Sequence, residues 1–172
     1  MKRSVLLILM LVLLPLVSIG QNNIEKSNRN EMEVNLGGGL CMDYLLDLSL
    51  NVTYTTPISG NWRLGGGAAY DVFGLTGGIV GSSGVPYGFS FFADIRHQKQ
   101  MSNTTSFVAV LDCGAFVLGD GGARWGGHIS PQVGWSFRLS EKRNTAFNTR
   151  FFYKHLPNFA VHELGLMVGF SF

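Results

Sequence analysis

His128 and Ser130 are the residues of this 172-residue chain whose types and spacing could do covalent chemistry. On an extended strand, residues two apart share a face. An imidazole there could take the hydroxyl proton and make the oxygen a nucleophile, provided that a carboxylate oriented the ring. Glu141, the acidic residue next downstream, stands in a turn-like stretch instead. The other histidines, His97, His155 and His162, lie on separate segments without metal-ligand spacing. Cys41 and Cys113 are too few for a disulfide framework. The triplets at Gly37 and Gly65 lack the Lys and Ser/Thr of a phosphate loop, and fit strand curvature or close packing better. No cofactor and no metal is implied.

The second chemical set is a group of charges: Glu33, Asp47, Asp71, Asp94, Asp112 and Glu163 against Arg63, Arg96, Arg138, Arg150 and Lys154. What places them together is alternation. Residues 46–55 set Leu46, Leu48, Leu50, Val52 and Tyr54 on one face and Asp47, Ser49, Asn51, Thr53 and Thr55 on the other. Residues 161–172 do the same, with Leu164, Leu166, Val168, Phe170 and Phe172 opposing Glu163, Gly165, Met167, Gly169 and Ser171. Similar blocks run over 32–41, 62–72, 87–96, 105–115, 128–138 and 147–154, which makes eight. In 105–115 both faces are largely apolar, and Phe107, Ala109 and Leu111 are assigned outward.

Blocks of about ten residues with this period, separated by turn residues, are the signature of a transmembrane β-barrel. The fold class read from the sequence is all-β: an eight-stranded, antiparallel, up-and-down barrel over residues 32–172. An even strand count brings both termini to one side. The inner turns are then 57–61, 97–104 and 139–144; the outer loops are 42–44, 74–86, 117–127 and 155–160. His97 and His155 read as turn or loop residues, and Cys41 and Cys113 as small inward or interfacial fillers on opposite walls. Period alone does not say which face meets lipid, since a soluble lipocalin-like barrel or sandwich turns the apolar face inward. Aromatics decide for lipid: Tyr54, Trp62, Phe137, Phe147 and Phe172 cluster near the inner strand ends, and Tyr70, Tyr87 and Tyr153 near the outer ends. Two such levels look like interfacial girdles.

The amino-terminus agrees. Lys2 and Arg3 precede an apolar run of about thirteen residues and the small residues Ser18 and Gly20, a secretory signal over residues 1–20. That run is shorter than the roughly 17–25 residues of a spanning helix. Residues 21–31 are read as a short periplasmic segment. The formal charge of +2 is carried by Lys2 and Arg3, so the remainder has no basic excess for nucleic acid. Charged residues make up 14% of the chain, low for a soluble domain.

A strand ending on Phe170-Ser171-Phe172 resembles the closing strand of bacterial outer-membrane barrels, where the terminal aromatic belongs to the assembly signal. The run Leu64-Gly65-Gly66-Gly67-Ala68-Ala69-Tyr70-Asp71, then Val85-Pro86-Tyr87, Phe91-Phe92-Ala93-Asp94-Ile95-Arg96 and Pro131-Gln132-Val133-Gly134, resembles the small outer-membrane β-barrel proteins of Bacteroidetes, of the OmpX/OmpA-barrel type. The resemblance implies a Gram-negative outer membrane, outer-membrane lipids and the barrel assembly machinery as partners, and no assigned activity. His128-Ile129-Ser130 is also similar to the His-x-Ser-Asn stretch of outer-membrane lipid A deacylases, with Pro131 where that family has Asn. Eight strands enclose a space that side chains can just fill. The inward charges are therefore expected to pair and plug the lumen, with Arg63, Arg96 and Arg138 near the inner end and Asp47, Asp71, Asp112 and Glu163 near the outer end. The leading expectation is a non-enzymatic structural or adhesion-type surface protein whose outer loops meet an extracellular ligand; a narrow passive pore and lipid A deacylation are the alternatives.

Overall fold

A computed structural model describes residues 29–41, 46–73, 87–119, 123–140, 145–159 and 161–172. The expected signal and most of the 21–31 segment lie outside the described residues, as do positions 42–45, 74–86, 120–122 and 141–144. Eight strands form one closed antiparallel barrel in sequential order: β1 (Glu31–Cys41), β2 (Asp47–Ser59), β3 (Trp62–Phe73), β4 (Tyr87–Gln100), β5 (Thr105–Gly119), β6 (Ala123–Ser140), β7 (Thr145–Leu156) and β8 (Val161–Ser171). A 3-10 turn, η1 (Pro157–Phe159), joins the last two. The seam closes between β1 and β8, from Glu33 opposite Ser171 to Cys41 opposite Glu163. It is extended by paired backbone bonds between Met32 and Phe172, at 2.8 and 3.1 Å. Both strand ends at this seam lie on one rim, called the terminal rim below; the opposite one is the far rim.

Alternation sets the two surfaces. Along β1, β2, β4 and β8 exposed and buried positions alternate through most of each strand, the outward ones mostly apolar and the inward ones mostly polar or small, with Phe92 and Met167 among the buried apolar exceptions. The ladder is also staggered. Following partners from Val133 through Phe151, Leu166, Gly38, Leu48, Val72, Tyr87 and Gly119 returns to β6 at Ala123, nearer the far rim. Such stagger tilts the strands and fixes a narrow bore.

Glycine provides the clearance that this curvature needs. A Cβ built on Gly134 would meet Thr149 O, and Arg150 Cα at 2.6 Å, on the adjacent strand. Gly60 takes φ +56° at the tip of the β2–β3 hairpin, a left-handed conformation that glycine adopts without steric cost.

Several expected turns are strand. Pro57 lies within β2 opposite Arg63, and a register shift between Pro57 and Ser59 absorbs the missing donor. His97 belongs to β4, which ends in a tight turn where Met101 N and Ser102 N both donate to Thr105 O, at 2.9 and 3.1 Å. β5 and β6 run on to Gly119 and back from Ala123, so most of the expected 117–127 loop is paired strand. Backbone ladders ignore side-chain identity, which is why a glycine-rich stretch could be misread as loop. His155 likewise stands in β7. On β5, Phe107 and Leu111 take the outward register as expected; Ala109 shares it but is buried beside its partner His97, over which Trp62 lies edge-on at 4.9 Å. Cys41 is buried, whereas Cys113 is exposed on the outward face, so it is not an inward filler.

Gly134→Val is expected to cost about 1–3 kcal/mol by overpacking. Gly127→Ala, whose new Cβ would meet nothing closer than 3.7 Å, should stay within about 0.5 kcal/mol. The urea unfolding midpoints of the two refolded variants give the comparison.

Candidate functional site

The inward polar positions build a layered lumen. At the terminal rim Arg63 donates through Nε to Thr55 Oγ1 at 3.1 Å and through Nη2 to Arg29 O at 2.9 Å, and pairs with Glu31 at 3.5 Å. Above it, Glu33 accepts from Arg96 on β4 and from Arg150 on β7, tying three separate walls together. Arg96 also donates to Asp94 at 2.9 Å; Arg150 donates to Gln132 Oε1 at 3.1 Å, and Gln132 donates to Asp112 at 2.5 Å. In the far half Lys154 reaches Asp71 at 2.6 Å, Glu163 at 3.1 Å and Asp47 at 3.5 Å. Beyond them toward the far rim lies an apolar layer: Cys41, Phe73, Phe116, Leu118, Leu156 and Val161, with Phe159 packed on it.

Ten of the eleven charged positions read from the sequence point inward and are buried: Glu33, Asp47, Arg63, Asp71, Asp94, Arg96, Asp112, Arg150, Lys154 and Glu163. Arg138 is the correction. It has the inward register on β6, but at the terminal rim its side chain emerges into the open. Asp112, expected with the outer acids, joins the network of Arg150 through Gln132. Glu31, read as part of the segment preceding the barrel, is the first buried residue of β1; its two-residue spacing from Glu33 and Asn35 was the available signal. With Arg138 outside and Glu31 inside, the buried acids among the described residues, Glu31, Glu33, Asp47, Asp71, Asp94, Asp112 and Glu163, face the buried cations Arg63, Arg96, Arg150 and Lys154. Among the described residues the lumen is acid-rich rather than balanced.

His128 and Ser130 are both buried in this lumen. Neither ring nitrogen of His128 has a hydrogen-bond partner among the described residues, and the ring lies edge-on to Phe92 at 5.4 Å. No oriented base–nucleophile pair is formed. Outside, near the far rim, His155 and His162 stack at 4.5 Å, and Tyr153 Oη lies 2.6 Å from His162 Nδ1. Among the described residues no group of three or more His, Cys, Asp or Glu could hold a metal ion. A cavity of about 300 Å³ sits at the far rim between the apolar layer and Arg124, Asn158 and Phe159. The Arg124 guanidinium lies 5.6 Å over the Phe159 ring.

No protein-family model matches the chain, and no curated protein matches it. Solved structures do. The attachment invasion locus protein Ail of Yersinia pestis aligns over 83% of this chain and 97% of its own, with TM-score 0.56 at 16% identity. Neisserial surface protein A gives 0.57 at 12% identity over 83% and 94%. The outer membrane enzyme PagL gives 0.55 at 12% over 80% and 97%. The chain therefore has the fold of small outer-membrane β-barrels.

Removing one partner of a buried pair leaves the other charge uncompensated, at about 3–5 kcal/mol. Glu33→Gln should lose that much, because Arg96 and Arg150 both depend on it. Arg138→Ala should change stability by no more than about 0.5 kcal/mol. Denaturant unfolding of each variant checks the contrast.

Proposed function

We propose that this protein is an outer-membrane barrel with a plugged lumen, acting in envelope structure and surface contact, and that it is not an enzyme. The observation that carries this reading is its inverted surface. Leu36, Leu48, Leu50, Leu64, Phe91 and Leu166 are all exposed on one continuous outer wall while the charges are inside. Soluble monomers rarely expose contiguous apolar patches beyond a few hundred Å². Lipid satisfies such a wall, and a closed ladder leaves no backbone group unpaired within it. Many outward aromatics fall at two levels, Tyr54, Trp62, Phe137 and Phe172 toward the terminal rim and Tyr70, Tyr87 and Trp125 toward the far rim, with Phe91 and Phe151 between them.

With the terminal rim in the periplasm, the far-rim strand ends, between two of which the sequence of residues 74–86 runs, and the cavity beside Arg124 and Phe159 face outward. They form the contact surface for an extracellular ligand. Phe170 and Phe172, exposed at the terminal rim, suit recognition by the assembly machinery. The clamped charges and apolar layer argue against a passive pore, and burial of His128 and Ser130 in the lumen argues against lipid A deacylation.

Insertion is tested by charge. Leu50→Arg should cost about 2–4 kcal/mol and Ile58→Arg, beyond the wall, about 0–1 kcal/mol; equal costs in bilayer unfolding would sink the membrane reading. Surface contact is tested by replacing residues 74–86 with a short Gly-Ser linker. Cells carrying the variant should keep the heat-modifiable barrel and lose adhesion to host-cell or glycan surfaces; unchanged adhesion would remove this role. Lipid A mass spectra should be the same with and without the protein.

A further inference from the structure

The cavity at the far rim changes in chemistry from floor to mouth. Phe73, Phe116 and Leu156 are each no more than 1% exposed, and with Leu118 and Val161 they line it from within. Phe73 meets Phe116 edge-on at 6.0 Å, and Phe116 meets Phe159 edge-on at 5.5 Å, so the floor is packed aromatic surface with nothing to hydrogen-bond. The mouth is polar. Arg124 on β6 and Asn158 in η1 are both exposed there, and the half-buried Phe159 joins the two zones.

One glycine brings these parts together. A Cβ on Gly126 would strike Phe159 Cε2 at 2.6 Å and meet Asn158 Cβ at 3.0 Å, so bare backbone at this position lets η1 lie against β6 near Arg124. What the mouth then offers is donors. Asn158 Oδ1 is turned to accept the Gly127 N–H at 3.0 Å, which leaves the NH2 of the same amide to donate elsewhere. The Arg124 guanidinium, 5.6 Å over the Phe159 ring, carries five N–H donors in a planar fork, enough to hold a neighbour in the chain and a carboxylate together. Among the described residues that line the cavity none is acidic. A head that suits such a mouth accepts hydrogen bonds and carries negative charge; a body that suits the floor is apolar. At about 300 Å³ the cavity stands at the small end of the roughly 300–1,000 Å³ range of ligand sites, which favours one short chain over an oligosaccharide or a folded peptide.

We propose that the far-rim cavity binds a medium-chain aliphatic carboxylate, its head on Arg124 and Asn158 and its chain on Leu118, Val161 and Phe159. The site rests on the reading of the far rim as the outward surface, and it names the class of ligand which that surface takes. Charge and chain are both required. Acetate brings the head without the body, and octanamide keeps the body but replaces the charge with a neutral amide.

Equilibrium dialysis of radiolabelled octanoate against the full chain in phosphatidylcholine nanodiscs, with empty nanodiscs as the blank, tests the site. Uptake above the blank should saturate at about one octanoate per barrel. Unlabelled octanoate should displace the label, whereas acetate and octanamide at the same concentration should not. Arg124→Gln, a change at an exposed position that leaves the core intact, should weaken binding roughly ten- to a hundredfold through the lost charged hydrogen bonds. Arg138→Gln, at the opposite rim, should bind as the native chain does. Uptake equal to that of empty nanodiscs, displacement by acetate or octanamide as effective as by octanoate, or equal affinity in Arg124→Gln and Arg138→Gln overturns the proposal. A chain that enters nanodiscs and takes up no octanoate sinks this site alone; a chain that does not enter them sinks the membrane reading and the site with it.

Discussion

Closing the ladder between β1 and β8 is the constraint on which everything else in this molecule depends. A sheet of eight strands that meets itself has no free edge within the wall, and its circumference leaves a bore only as wide as side chains can fill. From that bore follow the inward glycines at positions such as Gly134, where the neighbouring backbone occupies the space of a side chain. From it also follows that inward polar groups such as Glu33, Arg96 and Arg150 meet one another across the bore, because side chains take up the space.

The charges inside do more than fill. Glu33 sits on β1 but is bound by arginines from β4 and β7, so strands that never pair are held together through the bore. Lys154 on β7 does the same with Asp71 on β3. Such pairs give back little net stability once desolvation is counted. Their effect is geometric, since a shift of one strand by a single residue would turn its charge out of the lumen and toward the apolar surroundings.

Much of the barrel was legible because one rule governs most of it. Alternation at Leu48, Leu50 and Val52, or at Leu164, Leu166 and Val168, sorts residues into two faces, and the placement of the aromatics then says which face is the outer one. Rims were harder. Arg138 has the inward register, yet the strand outruns the closed part of the wall there, and periodicity carries no information about height. Pro57 and the glycines around Gly126 looked like turn residues by composition, while backbone pairing kept them in strands. The convergence of Asp47 and Glu163 on Lys154 was invisible for another reason: it depends on the closing seam, which sets β8 beside β1 and so near β2.

At the far rim β6 rises above its neighbour. Residues 123–128 pair with β5 on one side, but pairing with β7 starts only at Ile129 and His155. That short stretch is an open strand edge, the kind of surface onto which another chain can add a strand. The η1 turn lies against it: Asn158 Oδ1 accepts Gly127 N–H at 3.0 Å, and Phe159 occupies the space a side chain on Gly126 would need. A three-residue turn between β7 and β8 thus acts as a bumper, keeping neighbouring copies from stitching themselves edge to edge where the closed wall no longer protects them.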